Sequence, residues 1–135
     1  MTAPVSPETR ASVEAVLDTH WPGEWRAARI GEVVPKKLEG RACWRLDASP
    51  QDQGHNSVPF VWLGVDGDFP LSRMLVLAPG MATPGALPWP HVEDEGALCL
   101  GALPLDIEQH VRFAVSDAFS ILSMNEAMRQ TEFAR

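Results

Sequence analysis

Apolar residues recur along this chain first at helical spacing, then in alternation, then again at helical spacing. Val13, Val16 and Leu17, extended by His20 or Trp21, lie three and four positions apart, the pattern of a helix with one inward stripe. Just ahead, Ser6-Pro7-Glu8 supplies a Ser N-cap, a proline at the first helical position and an acid in the first turn. Pro22-Gly23 ends that helix. The pattern then shifts toward strands over residues 25–34 and 41–48. In the second run Ala42, Trp44, Leu46 and Ala48 alternate with Arg41, Cys43, Arg45 and Asp47, a period of two. Residues 49–57, polar and containing Pro50 and Gly54, predict a hairpin loop.

Residues 58–65 are apolar on both faces and predict a central third strand, with Pro59 limiting where its pairing can begin. Asp66-Gly67-Asp68 makes a turn into a fourth strand over 73–78. Residues 79–90 hold four prolines and two glycines, too irregular for helix or sheet, and predict a long ordered flap. After Cys99, Asp106 with Gln109 forms a capping-box-like start. Ile107, Val111, Ala114, Val115, Ala118 and Leu122 mark one face of a helix running to about Met128, with His110 at its surface or boundary. The predicted fold is α+β: an N-terminal helix, a four-stranded antiparallel meander, an irregular segment bearing a cysteine, and a long C-terminal helix.

The length of 135 residues fits one domain, 1–135, with a sizeable core. No apolar run reaches the ~20 residues of a membrane span, and the start lacks a signal-peptide pattern. A net charge of −7 argues against a nucleic-acid partner, because phosphate binding needs a concentrated basic surface. The two cysteines read as reduced thiols in a cytoplasmic protein, not as a disulfide framework. Cys43, between Ala42 and Trp44 on a strand, reads as structural. The spacing of Cys43, Cys99, His55, His91 and His110 is not that of a metal site, and no phosphate-loop or dinucleotide signature is present. Neither a metal nor another cofactor is expected.

The most informative segment runs Trp89-Pro90-His91-Val92-Glu93-Asp94-Glu95-Gly96-Ala97-Leu98-Cys99-Leu100. It sets one thiol after a short polar loop, inside an apolar Leu-Cys-Leu step, with a Pro-His pair eight to nine residues earlier. A cysteine among leucines is commonly a buried, inert hydrophobe; the Pro and Gly framing favours a functional thiol here. The segment resembles the active-site stretch of ubiquitin-conjugating enzymes: His-Pro-Asn, a few polar residues, Gly, an aliphatic residue, then the nucleophilic Cys and Leu. Pro90, Gly96, Cys99 and Leu100 fall on the family's positions in register, and Phe69-Pro70 resembles its aromatic-Pro step. The order of predicted elements is also that family's layout. Only 36 residues follow Cys99, so the two last helices of eukaryotic members are not expected. Compact bacterial relatives, found with ubiquitin-like modification and antiphage defence systems, are closer to this length.

The resemblance implies a mechanism of two acyl transfers on Cys99. The thiolate accepts a ubiquitin-like protein from an activating enzyme, and a lysine or other amine of a target then takes it from the thioester. The family's oxyanion-stabilising Asn is replaced by His91, and its His by Trp89. His91 can donate to an oxyanion or act as a base toward the amine; the alternative is that it braces the loop. Trp89 is expected to pack the flap on the sheet. The acids Glu93, Asp94 and Glu95 are expected to temper the thiol and attract a basic target lysine. The surface of residues 7–19 is expected to meet the activating enzyme. Two other readings stay open: a non-catalytic adaptor of the same fold, and a thiol hydrolase in which His91 serves Cys99.

Overall fold

The computed structural model describes residues 4–47, 60–79, 92 and 96–133, with side chains of the last helix through Met124. Helix α1 spans Pro7–His20. Strands β1 (Trp25–Ala27), β2 (Ala42–Asp47), β3 (Phe60–Val65) and β4 (Leu75–Leu77) follow, and helix α2 spans Ile107–Phe133. The strands pair antiparallel in the order β1-β2-β3-β4, so the meander expected from the alternation is the observed sheet. The Phe69–Pro70 peptide is cis. No helix among the described residues is long and apolar enough to cross a membrane.

Helix α1 starts where its sequence places it. Ser6 Oγ accepts the Thr9 backbone N–H at 3.1 Å, filling one of the donors a helix leaves open in its first turn. Val13, Val16 and Leu17 are buried against a core that includes Ala42, Trp44 and Leu46 of β2 and Val61, Leu63 and Val65 of β3. Alternation assigns the other face of the same strands: Cys43 and Trp62 join Leu38, Leu77 and Ala97 in a second buried cluster. Cys43 is therefore structural. Its Sγ lies 3.5 Å from the Leu38 carbonyl and 3.4 Å from that of Arg41, and burial pushes its thiol up, against an opposing pull from Arg41. Gly64 leaves room for this layer, because a Cβ there would lie 2.6 Å from Leu38 Cδ2.

Three expectations need correction. The strand predicted over 25–34 stops at Ala27. Beyond it the chain turns through Gly31 at φ +80°, and Arg26 grips Glu32 with two hydrogen bonds of 2.8 and 2.7 Å. That bidentate pair, with the Arg29 N–H, holds the Glu32 carboxyl at about 2 and folds the segment back instead of letting it pair. The second correction concerns His110, which is buried and not at a surface or boundary. Helix α2 also runs past Met128, to Phe133. The loop expected over 49–57, and the flap from residue 80, lie outside the described residues.

Candidate functional site

Cys99 owes its exposure to a short stretch that adds to the edge of the sheet. The Ala78 N–H donates to the Gly96 carbonyl at 2.8 Å, and the Leu98 N–H donates to the Val76 carbonyl at 2.9 Å. Ala97 thereby pairs with Leu77 of β4, and Val92 pairs with Leu98. Side chains then alternate as in a strand. Leu98 and Leu100 enter the main core, Ala97 enters the second cluster, and Cys99 is exposed between the two leucines. Gly96 makes the approach possible. Its φ is +81°, and a Cβ there would lie 2.8 Å from the Ala78 carbonyl carbon and closer still to the oxygen.

The chain leaving Cys99 is held from two sides. Arg73 Nη2 donates to the Leu100 carbonyl at 2.8 Å and also to the Gly101 carbonyl. Asp117 of α2 accepts the Gly101 N–H at 3.3 Å. Three residues farther on, Pro104 meets the buried imidazole of His110. The Met74 N–H donates to His110 Nε2 at 3.1 Å. That nitrogen must therefore be unprotonated, so Nδ1 carries the proton and donates to the Pro104 carbonyl at 2.9 Å. Phe69 packs edge-on, with ring centroids 4.8 Å apart. One imidazole thus ties α2 to both the start of β4 and the segment that follows the thiol.

Burial lowers the His110 pKa from its ordinary value. The bond to Pro104 works in the opposite direction, and the Arg73 charge adds to the lowering. The linkage has a definite sign: the unfolded chain takes up this proton at a higher pH than the folded one. His110 therefore contributes its full stability above the ordinary histidine range, and that contribution is lost as pH falls through the depressed value. His110→Phe leaves the Met74 N–H without its acceptor, at an expected cost of about 1–3 kcal/mol at pH 7.5. Urea titrations between pH 5 and 7.5 should show a shallower pH slope for the variant. Parallel slopes would remove His110 from the acid sensitivity of the fold.

Of the residues singled out in the sequence, the structure describes Gly96, Cys99 and Leu100 at this site. Trp89, Pro90, His91, Glu93, Asp94 and Glu95 lie outside the described residues. The pairing of Val92 with Leu98 joins the residue after His91 to the residue before Cys99. Sequence reasoning missed Arg73, Asp117 and the buried state of His110. The last was legible, because His110 falls three residues after Ile107 and four before Ala114, within the apolar stripe. Arg73 and Asp117 bind backbone groups and leave no such trace.

A separate groove of about 380 Å³ lies between the two helices, lined by Leu17, His20, Trp21, Val111, Val115 and Phe119 among others. Cys99 is not among the residues that line it. Among the described residues no cluster of His, Cys, Asp and Glu is arranged to hold a metal ion. No family model, curated protein or solved structure matches the chain.

Proposed function

We propose that this chain is a ubiquitin-conjugating-like enzyme that carries a ubiquitin-like protein as a thioester on Cys99. The observation that carries the reading is an exposed cysteine between two buried leucines, entered through a left-handed glycine at a sheet edge. The helix-meander-cysteine-helix order agrees with the layout of that family, as do Pro90, Gly96, Cys99 and Leu100 in sequence. The proposed setting is a bacterial ubiquitin-like modification or antiphage defence system, with an activating enzyme as donor and a protein amine as acceptor.

The two steps balance without a cofactor. Cys99 Sγ, as thiolate, attacks the carbonyl carbon of the donor thioester; the new C–S bond forms, the old one breaks, and the activating enzyme's thiolate leaves. An unprotonated target amine then attacks the same carbon. A C–N bond forms, the C–S bond to Cys99 breaks, and the amine's extra proton passes to solvent or a nearby base. In this reading His91 is the candidate for that base or for the oxyanion donor.

The test is a non-reducing gel with the cognate activating enzyme, its ubiquitin-like partner and ATP. The expected result is a reductant-sensitive adduct that Cys99→Ala abolishes and Cys43→Ala spares. Cys99→Ser should give an adduct that resists reductant, because an oxyester replaces the thioester. Absence of any adduct on the intact protein would leave an adaptor, and turnover of the donor without a carried intermediate would indicate a hydrolase.

A further inference from the structure

The hydrogen bonds around Leu100 and Gly101 have an unusual economy. The carbonyl of Leu100 and the N–H of Gly101 belong to one peptide unit. Arg73, ahead of β4, holds its oxygen, and Asp117, on α2, holds its nitrogen. The same guanidinium nitrogen also takes the next carbonyl, that of Gly101. A cation from the sheet edge and an anion from the helix therefore fix the plane of the peptide that begins one residue after Cys99.

The fold does not require such a grip. Leu98 and Leu100 already anchor this stretch through their buried side chains. Arg73, Cys99 and Gly101 are exposed, so water could satisfy the Gly101 N–H and carbonyl, and a hydrogen bond that replaces one to water adds little net stability. What the two bonds supply is direction. The plane of the Leu100–Gly101 peptide and the buried leucines together limit the rotation of the backbone at Cys99, and hence where its Sγ points. A nucleophile gains most of its advantage from being held near the attack geometry, so a small loss of orientation costs rate before it costs fold.

We infer that Arg73 and Asp117 are positioning residues for Cys99, acting by clamping the Leu100–Gly101 peptide from opposite sides. The inference rests on the conjugating reading for its chemistry, but the ordering of Cys99 can be measured without it. In a Cys43→Ala background, a nitroxide attached to Cys99 should give an immobilised spectrum. Arg73→Ala and Asp117→Ala should each narrow it, and Asp117→Asn, which keeps an acceptor oxygen, should not.

With the activating enzyme and a ubiquitin-like partner, the maximal rate of Cys99 loading should fall about 10-fold or more in Arg73→Ala with an unchanged KM. Thermal midpoints should stay within about 3 °C of the parent. The Arg73→Ala, Asp117→Ala double variant should be no slower than the slower single one, because both hold one peptide. Unchanged spectra and rates would overturn the inference, as would rate losses that follow falls in thermal midpoint of about 10 °C or more. If the spectra narrow but the parent protein loads no partner, the clamp stands and the conjugating reading fails. If the parent loads normally and the spectra do not change, the clamp alone fails.

Discussion

Gly96→Ala is expected to destabilise the protein by about 2–4 kcal/mol and to disturb the lead-in to the thiol. Two effects coincide there. A left-handed φ of +81° strains any residue with a Cβ, and that Cβ would overlap the backbone of Ala78. Backbone cannot swing aside as a side-chain end can, so β4 and the Gly96–Leu98 stretch would have to separate. The bonds from Ala78 to Gly96 and from Leu98 to Val76 span that gap. Gly40 offers the matched control: its φ is +79°, with nothing within 4 Å of the position a Cβ would take. Gly40→Ala should therefore show only the conformational part, about 1 kcal/mol. Urea denaturation of both variants measures the difference. Equal losses would mean that the close approach at Ala78 carries no weight. In Gly96→Ala, loading of Cys99 should fall further than the loss of folded protein accounts for.

Where the two faces of an element meet different surroundings, residue type reports position, and much of this fold is of that kind. Ala42, Trp44 and Leu46 against Cys43 and Arg45 could be read directly as two sides of a strand, and Val13, Val16 and Leu17 as one side of a helix. The exposure of Cys99 follows the same logic, since both of its leucine neighbours are claimed by the core. The strand expected over 25–34 misled for a specific reason. Ile30 and Val33 are apolar yet fully exposed, while the Arg26–Glu32 pair that shapes the turn is polar and joins residues six apart. Hydropathy weighs the first two and has no term for the pair. Arg73 and Asp117 were illegible for a related reason: their partners are backbone groups 27, 28 and 16 residues away in sequence, and every residue type presents the same backbone.

Trp44→Ala is expected to cost about 3–5 kcal/mol, because it empties the main core of the largest fully buried side chain among the described residues. Trp44 is 0% exposed. Its Nε1–H also donates to Glu14 Oε2 at 2.9 Å, which ties α1 to β2. Trp44→Phe keeps much of the buried ring but leaves the carboxylate without that donor, so a smaller loss of about 1–2 kcal/mol is expected. Denaturant midpoints of the two variants separate packing from the tie. The same bond changes how α1 must be tested as a docking surface for an activating enzyme. Glu8 is exposed in the first turn, whereas Glu14 is engaged with the sheet. Reversing Glu14 should therefore lower stability and loading together, through loss of the tie and a cation placed against the indole N–H. Reversing Glu8 should leave stability unchanged, and a fall in loading at limiting activating enzyme would then report the encounter itself. If Glu8→Lys loads as the parent does while Glu14→Lys does not, the helix acts through the core and not as a contact surface.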